Sequence, residues 1–143
     1  MKVRVLVVED NADLLELFSR QLEFLGFHVS VAKNGVEAVA TALSEHPDVI
    51  LMDIVMPGMD GLEAVSQIRA NPETREIPVL AVTGWVSSHN SRHTYRARGF
   101  NDYIAKPFTH KDLLSAIRQL LTDTDKRSEG SEMIATSTYY RPN

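Results

Sequence analysis

The chain has 143 residues, 43% of them hydrophobic and 24% charged, with a net charge of −4 and no cysteine. That length suits one domain with a single core. The charge argues against a broad electrostatic grip on nucleic acid or an anionic membrane, and the lack of thiols excludes disulfides and thiolate chemistry.

The opening segment, Met1-Lys-Val-Arg-Val-Leu-Val-Val-Glu9, is too short in its apolar part for a signal peptide. No run reaches the ~20 apolar residues of a membrane span, so a cytoplasmic location is the expectation. Val3 to Val8 reads as a β-branched strand that stops at Glu9-Asp10-Asn11. Leu15, Phe18, Leu22 and Leu25 recur at helical spacing, and Gly26 ends that helix. Phe27 to Val31 is a short strand. Asn34 is placed as the N-cap of a helix presenting Val36, Val39 and Leu43, which His46-Pro47 closes.

Val49 to Met52 is a continuous apolar run, the mark of a strand buried on both faces of a parallel sheet, and Asp53 ends it. Pro57-Gly58 then breaks regular structure. Asp60 and Glu63 have capping-box spacing and introduce a helix with Leu62, Val65 and Ile68 inward. After the polar loop Asn71 to Glu76, Ile77 to Val82 forms a strand ending at Thr83-Gly84. Ser87 to Arg98 is helical in length but poor in apolar residues, and Gly99 terminates it. Asp102 to Ala105 is a brief strand ending at Lys106-Pro107. Thr109 and Asp112 open a last helix that buries Leu113, Leu114, Ile117, Leu120 and Leu121. From Thr122 the sequence turns polar and aperiodic. A domain over residues 1–122 with a polar C-terminal tail or linker over 123–143 is therefore expected. Strands and helices alternating five times predict a parallel sheet covered by helices on both faces.

In such a sheet the carboxyl ends of the strands share one edge, where ligands bind. That edge collects Glu9, Asp10 and Asp53, the hydroxyl of Thr83 and the ammonium of Lys106. Clustered carboxylates repel one another unless a cation neutralises them. A hard divalent ion with oxygen ligands does so, and an open site with few protein ligands suits Mg²⁺. Mg²⁺ and a lysine together stabilise phosphoryl oxygens, and a carboxylate in line with phosphorus is a nucleophile. The residues alone point to a Mg²⁺-dependent phosphoryl acceptor or transferase.

The acidic pair Glu9-Asp10, the segment Met52-Asp53-Ile-Val-Met-Pro57-Gly-Met-Asp-Gly61, Thr83-Gly84 and Asp102-Tyr-Ile-Ala-Lys106-Pro107-Phe108 occur in that order, each at a strand end. Together they resemble the receiver domain of two-component response regulators, the CheY-like family, over residues 3 to 121. The resemblance implies a flavodoxin-like α/β fold, doubly wound, with a five-stranded parallel sheet in the order 2-1-3-4-5 flanked by five helices. It implies that Asp53 accepts a phosphoryl group from the phosphohistidine of a sensor histidine kinase or histidine phosphotransfer protein. Mg²⁺ would be held by Glu9, Asp10, Asp53 and the backbone carbonyl of Val55. Thr83, the backbone of Gly84 and Lys106 would bind the phosphoryl group. Thr83 and Tyr103 would form the switch, and Lys106-Pro107 is a cis-peptide candidate. The phosphorylated state would be read at the surface of the fourth helix, fifth strand and fifth helix, with the protein a monomer or a weak phosphorylation-dependent dimer through that surface. No turnover of an external substrate is expected, only the chain's own phosphorylation and dephosphorylation.

Val55 and Trp85 occupy positions that tune hydrolysis in the family, and neither side chain orients water. Slow self-dephosphorylation is the consequence expected. His89 and His93 have the spacing of a helical metal pair but no third ligand, and solvation is the reading. Arg92, Arg96 and Arg98 form a basic patch beside them, read as a solubilising face.

A haloacid-dehalogenase phosphatase needs a second aspartate where Val55 stands. A nucleotide-binding first turn needs glycines that Glu9-Asp10-Asn11-Ala12 lacks. The remaining alternatives are a non-phosphorylated receiver-like scaffold, or a receiver excised from a larger regulator or hybrid histidine kinase. Residues 122–143 are too short for a DNA-binding module, so output through protein contacts is expected, without direct contact to nucleic acid.

Overall fold

The computed structural model describes residues 2–54, 59–84 and 92–132, with side chains placed as far as Asp123. Its elements are β1 (Arg4–Val8), α1 (Ala12–Phe24), β2 (His28–Ala32), α2 (Gly35–Glu45), β3 (Val49–Asp53), α3 (Gly61–Ala70), β4 (Val79–Thr83), α4 (Arg92–Ala97), β5 (Asp102–Ala105) and α5 (His110–Glu132). The strands form one parallel sheet in the order β2-β1-β3-β4-β5, the doubly wound arrangement expected.

The apolar runs explain why the sheet is covered on both sides. Successive side chains of a strand point to opposite faces. Val5, Val7, Val49, Leu51, Leu80 and Val82 therefore face one core, with Leu15, Phe18 and Leu22 of α1 and Leu113, Ile117 and Leu120 of α5. Leu6, Val8, Ile50, Met52, Val79 and Ala81 face the other, with Ala38 and Ala42 of α2, Ala64, Val65 and Ile68 of α3, and Tyr95 of α4. Among the described residues no helix is long and apolar enough to cross a membrane.

The helix starts are chemically specified. Asn11, Asn34 and Asp60 each accept a hydrogen bond from a backbone N–H of the first turn, those of Leu14, Glu37 and Glu63. Thr109 and Asp112 bond reciprocally, N–H to side-chain oxygen, at 3.1 and 3.0 Å. At the other end of α2, His46 adopts a left-handed conformation (φ 48°), and the following Pro47 cannot continue the helix.

One expectation needs correction. The buried face of α2 is Gly35, Ala38 and Ala42, whereas Val36 is 61% and Leu43 39% exposed. Small residues let α2 approach closely: a Cβ on Gly35 would stand 2.5 Å from the Met59 carbonyl oxygen. Val36→Thr should accordingly change unfolding free energy by less than about 0.5 kcal/mol. Ala42→Leu, forcing methylenes into a filled space, should cost about 1–3 kcal/mol. Urea titration of both variants checks the assignment, and the reverse ranking would contradict it.

The helix α4 runs over Arg92–Ala97, within the expected Ser87–Arg98 span; the part before Arg92 lies outside the described residues. The helix α5 keeps its helical backbone to Glu132, although the last buried side chain among those described is Leu121. No proline interrupts that polar stretch, and side-chain bonds such as Thr122 Oγ1 to the Arg118 carbonyl accompany the helix past the core.

Candidate functional site

Parallel register brings the strand ends together. Val8 pairs with Met52, Asp53 with Val82 and Thr83 with Ala105. Glu9, Asp53, Thr83 and Lys106 thus project from four adjacent strands at the carboxyl edge of the sheet. The carboxylates of Glu9, Asp10 and Asp53 come within 4.8 Å of one another. Lys106 Nζ lies 3.5 Å from Asp53 Oδ2 and 3.5 Å from Glu9 Oε1, and the Lys106 N–H donates to the Thr83 carbonyl at 2.7 Å. The Lys106–Pro107 peptide bond is cis.

Burial sets the electrostatics. Glu9 is only 2% exposed, and Asp53 and Thr83 are buried as well, whereas Asp10 is exposed. Three carboxylates facing one ammonium leave the pocket short of positive charge, and a buried unbalanced charge is costly. Burial raises the Glu9 carboxyl above its ordinary value of 4.5, and the Asp53 carboxylate adds to that rise. The Asn11 N–H, donating to Glu9 Oε2 at 3.1 Å, and the Lys106 ammonium pull the other way without cancelling it. All-oxygen donors, net negative charge and an exposed member at the rim fit a hard divalent cation.

The raised Glu9 carboxyl has a definite pH signature. The folded chain holds this proton more tightly than the unfolded one. Without metal, its unfavourable contribution is therefore complete above the raised value and is relieved as pH falls through it toward 4.5. A cation needs the carboxylate form, so Mg²⁺ affinity should drop across the same window, by up to about tenfold per pH unit for one competing proton. Mg²⁺ titrations at neutral and mildly acidic pH, read by thermal shift, measure it; affinity that rises on acidification would contradict this electrostatic account.

Gly84 is open among the described residues: a Cβ there meets none of their atoms within 4 Å, which leaves space beside Thr83. Tyr103 is half-buried against the α2–α3–α4 core. Val55, Trp85 and His89 lie outside the described residues, and His93 is exposed on α4. Two residues escaped the sequence reading. Gly61, first residue of α3, packs so tightly that a Cβ would stand 2.5 Å from the Asp53 carbonyl oxygen. Tyr95, 7% exposed, is the buried anchor of α4. Only the Asp60–Glu63 cap at the start of the helix, and a lone aromatic within a polar stretch, hinted at them.

The sequence profile described as "Response regulator receiver domain" matches residues 5–118. Among relatives, the chain is 37% identical over 135 residues to the response regulator MprA of Mycobacterium tuberculosis, covering 94% of this chain and 57% of that protein. The chain thus spans little more than half the length of such relatives. Among solved structures, chemotaxis protein CheY4 of Vibrio cholerae aligns with a TM-score of 0.78 at 30% identity, over 84% of this chain and 99% of that one. The receiver domain of the sensor histidine kinase PA1611 of Pseudomonas aeruginosa, solved with a magnesium ion coordinated in its active-site cleft, aligns with a TM-score of 0.77 at 32% identity, over 85% and 98%.

Proposed function

Because this chain belongs to the response regulator receiver domain family of two-component signalling, we propose that it is a phosphorylation-dependent switch whose acceptor is Asp53. The observation that carries this reading is the placement of Lys106 Nζ 3.5 Å from Asp53 Oδ2, with Glu9 and Asp10 completing an acidic cluster around that carboxylate.

An Asp53 carboxylate oxygen attacks phosphorus, the P–N bond to the donor histidine breaks, and the imidazole leaves with the bond's electron pair. The donor is a histidine kinase or a histidine phosphotransfer protein. Lys106, already paired with the acceptor, holds a phosphoryl oxygen; the Thr83 hydroxyl and the Gly84 backbone hold the others. Glu9, Asp10, Asp53 and the Val55 carbonyl would hold Mg²⁺, which when bound neutralises charge on the phosphoryl oxygens. Thr83 drawn toward the new anion opens space for Tyr103. The change then reaches the α4-β5-α5 surface, where a protein target, or a second copy in a weak dimer, reads it as a population shift. A domain over 1–122 with a tail over 123–143, in a cytoplasmic setting, completes the reading.

Acetyl phosphate or beryllofluoride with Mg²⁺ tests it. The expected result is a single labile adduct on Asp53, formed only with the metal. Continuous turnover would instead indicate a phosphatase, and no adduct a scaffold. With apolar residues at Val55 and Trp85, the positions that tune hydrolysis in the family, the acyl phosphate should outlast that of a Val55→Asn variant by about tenfold, the scale of one hydrogen bond that positions the attacking water. Autodephosphorylation followed with labelled phosphate measures the ratio, and equal lifetimes would remove these side chains from the account.

A further inference from the structure

Among the described side chains of α4, Tyr95 is the buried one. Its ring lies 5.0 Å from that of Tyr103 at an interplanar angle of 33°, and 6.1 Å from that of Phe100, edge-on at 85°. The two neighbours differ in freedom. Phe100 is buried, its N–H donates to the Tyr95 carbonyl, and the next residue is tied to β4 by the Asn101 N–H on the Val79 carbonyl at 2.8 Å. Tyr103 is only half-buried. Phe100 is therefore a fixed stop, and Tyr103 the side of the trio that can move. Elsewhere α4 is weakly held: Arg92 pairs with Asp102 at 2.7 Å, but the arginine side chain is 61% exposed, and such pairs add little. His93 is exposed, and Arg96, exposed as well, adds one surface contact, its Nε donating to the Asn101 carbonyl at 3.2 Å.

We propose that Tyr95 is the positioning residue that ties the orientation of Tyr103 to the placement of α4. A turn of Tyr103 removes the partner of the buried ring, so Tyr95, and the short helix anchored by it, must resettle. The inference rests on the reading of Tyr103 as the switch. An offset aromatic pair of this kind biases two arrangements by about two- to tenfold.

The test is NMR of the full chain with and without Mg²⁺ and beryllofluoride, following the Tyr103 ring and the His93 imidazole on the outer face of α4. In the wild type and in Tyr95→Phe, both signals should move on adduct formation. In Tyr95→Leu the adduct should still form and Tyr103 should still respond, while the displacement of the His93 signal falls at least about twofold. Tyr95→Met, which fills the space without a ring, should repeat that result and replaces the leucine variant if it does not fold. A His93 response in the leucine or methionine variant equal to that of the wild type overturns the proposal. A wild type in which the adduct forms and Tyr103 stays still defeats the switch reading itself, and the relay falls with it.

Discussion

Asp53→Asn should reduce labelling by acetyl phosphate with Mg²⁺ to the level of the unreacted control, a fall of at least about a hundredfold. The substitution keeps the size of a buried side chain but replaces a carboxylate oxygen with an amide that is not a nucleophile. Two other carboxylates remain within the cluster; if either served as acceptor, label would survive undiminished and the assignment would fail. Stability provides an independent control. Asp53 faces the Lys106 ammonium at 3.5 Å, but it also faces the carboxylates of Glu9 and Asp10, and it helps hold the Glu9 carboxyl up. Neutralising it removes two repulsions and one attraction of similar range. The metal-free variant should therefore melt no lower than the wild type, while the rise in Tm expected of the wild type on adding Mg²⁺ should largely vanish. A variant that failed to label because it failed to fold would show the opposite pattern.

The carboxylate edge of the sheet was legible because its residues are the ones at which apolar runs stop. Val-Ile-Leu-Met ends at Asp53 and Val-Leu-Val-Val at Glu9, and parallel topology then sends every such end to the same side. No long-range distance had to be guessed. The face of α2 was misread for a related reason. Periodicity weights large side chains, so Val36 and Leu43 looked like the stripe, whereas the buried face is Gly35, Ala38 and Ala42, with Gly35 close against Met59. A pattern of hydrophobicity carries no information about how near two backbones must come. Tyr95 was invisible because its partners, Phe100 and Tyr103, are set by the return of the chain into β5, which the composition of a polar helix does not express. The reach of α5 to Glu132 was missed because buried periodicity ends at Leu121, while helical hydrogen bonding has no need to end with it.

Gly61→Ala carries the largest effect expected outside Asp53 itself. The added Cβ would stand 2.5 Å from the Asp53 carbonyl oxygen, 2.8 Å from Ile54 Cα and 3.2 Å from the Asp53 carbonyl carbon. All three are backbone atoms, so no rotamer change relieves the overlap. The Gly61 N–H also donates to the Ile54 carbonyl at 2.9 Å, which holds the start of α3 against the end of β3. Either this bond lengthens or the peptide bearing Asp53 moves. Overpacking of this kind costs about 1–3 kcal/mol, against about 0.4–1 kcal/mol gained from the stiffer unfolded chain, so net destabilisation is expected. Since the displaced peptide is that of Asp53, the proposed acceptor, Mg²⁺ affinity and the rate of adduct formation should fall together, by about tenfold or more for a shift of several tenths of an ångström. Gly84→Ala is the comparison for stability: with no atom of the described residues within 4 Å of its Cβ, unfolding should change by less than about 0.5 kcal/mol. Denaturant titration of the two variants, with Mg²⁺ binding measured on the first, decides the matter. A Gly61→Ala protein as stable as the wild type, binding Mg²⁺ equally well, would mean that the contact between α3 and β3 does not set the position of the carboxylate.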